Sequence, residues 1–133
     1  MMNRYVRFNP NSINKNAGDC VVRMLTILTD KDWAECYSEL AMKGLELGEM
    51  PSANVVWMSY LRDLGFTRRI IPDRCPDCYT IRDFARDHQK GFYAVCTGSH
   101  VVAVIDGKYY DSWDSGNEIP IFYMEQFARE EVQ

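Results

Sequence analysis

The dipeptide Asp106-Gly107 stands between two runs of strand-forming residues, Val101–Ile105 and 108–113. A two-residue turn of this composition supplies the positive-φ conformations that match the twist of paired strands, and it predicts a tight antiparallel hairpin. The turn also sets a register. With Ile105 opposite Lys108, Val104 faces Tyr109, Val102 faces Asp111 and His100 faces Trp113. Opposed residues project to one side of a sheet, so His100 and Asp111 become diagonal neighbours, roughly 7–8 Å apart at the backbone. That spacing is within reach of an imidazole–carboxylate hydrogen bond, whereas Asp114 falls on the opposite face.

The rest of the second half continues in strand-like runs. Phe92–Cys96 is one and 119–123 a last one, with 124–131 expected as a terminal helix. The first half reads differently. Residues 1–16 are polar and rich in asparagine, with a short apolar alternation at Tyr5, Val6 and Phe8 that suggests a leading strand followed by a loop. Asp19 is placed to cap a helix whose broad apolar face carries Val21, Val22, Met24, Leu25, Ile27 and Leu28. Thr29 and Asp32 resemble a capping signature for a second helix, along which Trp33, Cys36, Tyr37, Leu40 and Leu47 recur until Gly48. Pro51 and Ser52 are expected to open a third helix, ending at Gly65, and 66–71 a strand broken by Pro72. Thr80 with Asp83 repeats the capping pattern for a short helix over 81–87. Helices first and antiparallel strands second give an α+β arrangement, and 133 residues suffice for a single domain, 1–133.

A hydrophobic content of 47% and a charged content of 26% match an ordinary soluble protein. A net charge of -4 argues against a broad basic face for nucleic acid. Arg68-Arg69 is the tight basic cluster, and it reads as a solvated strand edge. No stretch has the length of a membrane span, and the first ten residues lack the apolar core of a secretion signal. The five cysteines show no framework spacing, which fits a chain kept in a reducing cytoplasm.

Cys20 follows Gly18-Asp19 and opens the apolar helix. A cysteine in the first helical turn faces unpaired backbone N–H groups and the positive end of the helix dipole, which favour the thiolate. A controlled nucleophile also needs a base, and the base needs a third group to orient it. His100 and Asp111 offer those two roles in the register above. The other histidine, His88, follows a helix end in a charged segment and reads as a C-terminal helix cap.

These residues resemble the papain-like cysteine peptidase superfamily, whose members place the nucleophile at the start of the central helix. Their histidine heads a strand of the following antiparallel sheet, and an Asn or Asp lies on the next strand. Here "NAGDCVVRML" carries Cys20, "GSHVVAVIDG" carries His100 and "KYYDSWD" carries Asp111. The segment "GSHVVAVIDGKYYDSWDSGNEIP" is also similar to that of small bacterial and phage proteins. The larger cysteine signature of papain is absent, so the resemblance is to a compact, distant relative. It implies N-terminal helices packed on a C-terminal antiparallel sheet and acyl transfer to Cys20, with a protein or peptide as substrate and no cofactor. It also implies an oxyanion held by the cysteine N–H and a polar side chain just upstream; Asn16 or Asn14 stands where the family has glutamine.

Three other readings compete. Cys75-Pro76-Asp77-Cys78 has zinc-knuckle spacing, yet a structural zinc needs four ligands and no second pair follows, so no metal is expected. A redox dithiol or a plain loop are its other readings. Tyr109, Tyr110, Trp113, Phe122, Tyr123 and Phe127 read mainly as packing. Trp113 is the exception, a substrate-side ring that would shield His100 from water. A catalytically silent papain-like binding or inhibitory module, such as a phage protein acting on a host factor, is the alternative to an enzyme.

Overall fold

The computed structural model describes residues 3–72 and 78–127. In chain order the elements are β1 (Tyr5–Arg7), α1 (Cys20–Thr29), α2 (Trp33–Leu47), α3 (Asn54–Asp63), β2 (Thr67–Ile70), α4 (Ile81–Asp87), β3 (Phe92–Cys96), β4 (Val101–Ile105), β5 (Lys108–Asp111) and β6 (Phe122–Gln126). The six strands form one sheet in the order β1-β5-β4-β3-β6-β2. The architecture is α+β, but the sheet is mixed rather than wholly antiparallel. β1 lies parallel to β5, with Tyr5 beside Tyr109 and Arg7 beside Asp111. All four helices of the described residues lie between these two strands in sequence, so the connection is long enough for a parallel return.

The hairpin follows its turn. Ile105 pairs with Lys108, Val104 with Tyr109 and Ala103 with Tyr110. Asp106 and Gly107 have φ of 54° and 73°, the double positive-φ turn that joins tightly twisted strands.

Alternation along β3 and β4 sends side chains to both sides of the sheet, and each side is covered. Ala94, Cys96, Val101 and Ala103 pack with Phe122, Met124 and the apolar residues of α1, α2 and α3. Tyr93, Val95, Val102 and Val104 pack with Tyr109 and with Ile81, Phe84 and Ala85 of α4. The central strands are therefore buried on two faces, which explains their near-continuous apolar runs. The first three helices cover one face, while α4 covers the other.

Local signals fix several boundaries. Asp32 accepts from the Glu35 N–H at the head of α2, and Gly48 closes that helix at φ 67°. Thr80 and Asp83 form a reciprocal capping box on α4. His88 takes the C-cap position there, with Nδ1 2.8 Å from the Phe84 carbonyl and its ring stacked on Phe84. Arg68 and Arg69 lie on the exposed edge strand β2, Arg69 paired with Glu125 and Arg68 over the Phe122 ring.

Other expectations are corrected. Thr29 ends α1, bonding the Leu25 carbonyl, and takes no part in capping α2. Residues 51–53 form a turn, and α3 begins only at Asn54, whose side chain accepts from the Trp57 ring N–H. The last strand is Phe122–Gln126, so 124–126 extend a sheet instead of starting a helix. That segment has a strand on each side, β3 and β2, and the two ladders satisfy its backbone. The remainder of the expected terminal helix, 128–131, lies outside the described residues.

Candidate active site

His100 immediately precedes β4 and Asp111 closes β5, so both sit at the hairpin end opposite its turn. His100 Nε2 lies 2.6 Å from Asp111 Oδ2. Cys20 lines the same cleft as His100, and the imidazole and the Val101 N–H both act on its sulfur to favour the thiolate. α1 packs across β4 and β5, which brings its first residue to the strand ends. The structure thus brings together the three side chains named from the sequence.

Asp111 is held from every side. It is 1% exposed. Besides His100, Oδ2 accepts from the Ser115 hydroxyl at 2.6 Å, and Oδ1 accepts from the Ser112 N–H at 2.8 Å and from Arg23 at 3.0 Å. Its backbone carbonyl accepts from the Phe8 N–H and the Tyr5 hydroxyl. Arg23 lies one turn along α1 from Cys20, and its guanidinium spans Asp111 and Asp19. Asp19 in turn accepts from the Trp33 ring N–H at 2.8 Å. This corrects the expected cap: Asp19 occupies the N-cap position of α1 but makes no side-chain bond to the helix backbone. A buried cation and an indole donor compete for its oxygens and win them, because charge-assisted bonds in a desolvated site are the stronger ones.

The ionisation states follow from these contacts. Burial alone pushes the Cys20 thiol up, but bonds from His100 and Val101 and the charges of His100 and Arg23 outweigh it, leaving the thiol below its ordinary range. Burial pulls the His100 imidazolium down, yet Asp111 and Cys20 raise it to about 9. Asp111 is lowered against its own desolvation, chiefly by His100 and Ser115. The arrangement favours a standing thiolate–imidazolium pair. Cys36 and Cys96 move the other way, pushed up by burial.

A cleft of about 930 Å³ opens over the sulfur, lined by Arg7, Lys15, Asn16, His100 and Trp113 among others. Trp113 is 46% exposed, and its ring centroid is 5.2 Å from that of His100. Asn16 is exposed on the cleft wall, its N–H bonded to the Asn14 side chain. Cys75 lies outside the described residues; among the described residues no cluster of three or more His, Cys, Asp or Glu is placed to hold a metal.

Arg23, Ser115 and Trp33 join this network without a site role expected from the sequence. Arg23 carried a usable signal: it is a lone cation inside an otherwise apolar helical run, four residues after Asp19. Such a residue needs a buried partner. No protein-family model matches the chain, and no match was found among curated proteins or solved structures. Among the described residues, no helix is long and apolar enough to cross a membrane.

Proposed function

We propose that the protein is a thiol-dependent hydrolase that acts by forming an acyl-enzyme at Cys20, as a cysteine peptidase, isopeptidase or amidase of papain-like type. One observation carries the reading: Cys20 shares the wall of an open cleft with His100, whose imidazole is bonded to the buried Asp111 carboxylate. The pKa of each member is shifted in the direction its role requires, and perturbed groups converging in a cleft suit acyl-transfer chemistry.

The Cys20 thiolate attacks the carbonyl carbon and a carbon–sulfur bond forms, the carbonyl π electrons moving onto oxygen. The Cys20 N–H, at the head of α1, and the Asn16 side chain are the donors for that oxyanion. When the oxyanion collapses, the carbon–nitrogen bond breaks and the imidazolium of His100 gives its proton to the departing amine. Neutral His100 then takes a proton from water, hydroxide adds to the thioester, and the acid leaves as the thiolate and imidazolium are restored. Asp111 keeps the ring in the orientation and tautomer both steps need. Trp113, beside the imidazole, limits its access to water.

The test is acylation by p-nitrophenyl acetate, read by p-nitrophenol release and by mass spectrometry of the intact chain. Acetyl transfer is expected on Cys20, lost in Cys20→Ser and strongly slowed in His100→Ala. Acetylation spread over other residues, or indifferent to His100, would remove the enzymatic reading and favour the silent binding module.

A further inference from the structure

The chain carries a net charge of -4, yet the cleft over Cys20 has the opposite character. Its lining includes Arg7, Lys15 and Arg23 and, among the described residues, not one aspartate or glutamate. Arg23 is neutralised by Asp19 and Asp111. The other two are not. Lys15 Nζ donates to the Asn9 carbonyl at 2.7 Å, an uncharged partner that leaves the full ammonium charge in place. Asn9 Nδ2 donates back to the Lys15 carbonyl at 2.9 Å, so the two residues brace each other across the loop and hold the ammonium at the cleft. Arg7 is exposed and makes no ion pair with any of the described residues; its strand register sets it beside Asp111, next to the reacting groups. The thiolate, the imidazolium, Arg23 and its two carboxylates together carry one net negative charge, which the two cations Arg7 and Lys15 outnumber at the cleft. Ser99 and Ser112 add donors to the same wall.

From this we infer that the site takes acyl substrates bearing a carboxylate close to the carbonyl that Cys20 attacks, with an acidic peptide as the class and Arg7 and Lys15 as its specificity-determining cations. The inference rests on the acyl-transfer reading and names its substrate. Two cations on the wall of a concave site focus a positive potential into it, raising the local concentration of an anion and orienting it. A carboxylate also suits the guanidinium fork of Arg7, which grips two oxygens at once. A neutral acyl chain gains neither effect.

Iodoacetate and iodoacetamide measure this directly, because both alkylate the sulfur with loss of iodide and differ in one being a carboxylate. The quantity read is the ratio of their rates at Cys20, which cancels any general change in thiolate reactivity. N-acetylcysteine provides the ratio for a thiol without a cleft. At low salt the ratio at Cys20 is expected to exceed that reference by about tenfold, to fall as salt screens the cations, and to drop several-fold in Arg7→Gln, Lys15→Gln and most in the double variant. A ratio that stays level in the double variant overturns the proposal. If iodoacetamide labels Cys20 normally in that case, only the anion preference is lost. If iodoacetamide labels Cys20 no faster than N-acetylcysteine, the acyl-transfer reading and the preference resting on it fall together.

Discussion

Replacing Arg23 by methionine removes the cation that Asp19 and Asp111 share while keeping most of the side-chain volume. The three groups are buried, at 6% exposure for Arg23, 9% for Asp19 and 1% for Asp111. Asp111 would keep His100, Ser115 and the Ser112 N–H, so its charge remains solvated by the protein. Asp19 would keep only the Trp33 ring N–H as a side-chain partner, and the loss falls mainly there. Removing one member of a buried pair typically costs about 3–5 kcal/mol, because the surviving charge is left uncompensated. At roughly 3–5 °C per kcal/mol for a chain of this size, the melting temperature should drop by about 9–25 °C. Asp19→Asn in the same chain removes the orphaned charge, so the double variant should be more stable than the sum of the single losses by about 1–3 kcal/mol. Urea unfolding and thermal melts of the four proteins at neutral pH measure both quantities. Salt should change the coupling little, since buried pairs are weakly screened. An Arg23→Met protein within about 1 kcal/mol of the parent, or a strictly additive cycle, would refute the account of Arg23 as the buried keystone of the site.

Asp111→Asn keeps the shape of the residue but removes the charge that holds His100 protonated. Its Cys20 should lose at least about tenfold in iodoacetamide rate at pH 6.5, with the rate–pH profile displaced upward, since each pKa unit is a factor of ten in thiolate population; an unshifted profile would mean that Asp111 does not tune the imidazole. Stability against pH gives the other check. His100 is raised from 6.5 to about 9, so its contribution is complete below pH 6.5 and fades as pH climbs through about 9. Cys20 is lowered from 9.0, so its contribution is complete above pH 9.0 and fades on acidification. The folded thiolate–imidazolium pair and the unfolded thiol with neutral imidazole each hold one proton, so the pair makes the parent's urea midpoint nearly level between pH 6.5 and 9. In Cys20→Ser the compensation is gone, and the midpoint should fall across that window; a level Cys20→Ser profile would deny the coupling.

What could be read from the sequence divides along local and non-local physics. The hairpin was legible because Asp106-Gly107 fixes its own register, and that register alone put Asp111 rather than Asp114 beside His100. The ends of α2 and the capping box of α4 were legible because each depends on residues within one turn. The parallel partnership of β1 with β5 had no local signature, since Tyr5 and Tyr109 are far apart in the chain and nothing in either strand specifies direction. β6 was misplaced for the same reason: its extent is set by two neighbouring strands, not by its own composition. Asp19 shows the limit most clearly. Its spacing to the apolar run predicts a cap, yet Arg23 and Trp33 hold its oxygens instead. Cys20 was identified by its place at a helix head, but its meeting with His100 depends on how α1 crosses the sheet, which an apolar stripe does not reveal.

The order of charges through the site explains why one chain can bury so many. From the cleft inward they run thiolate, imidazolium, carboxylate, guanidinium and carboxylate, alternating in sign at every step, with the Trp33 N–H at the inner end. Each interior charge is flanked by its opposite, so each desolvation cost is offset on both sides, and no interior member can be removed without exposing two neighbours. A fold gains little from such a line compared with an apolar core of equal volume. The inner terminus, Asp19, is closed by the neutral Trp33 N–H, whereas the outer one is the sulfur, half-buried under a cleft whose other charges, among the described residues, are cations. Under the proposed function, the substrate closes it: an oxyanion develops beside the head of α1, and a neighbouring carboxylate meets Arg7 and Lys15. The stability cost at Arg23 and the reactivity of Cys20 are then two measurements of one electrostatic chain, and a perturbation at its inner end must be felt at the outer one.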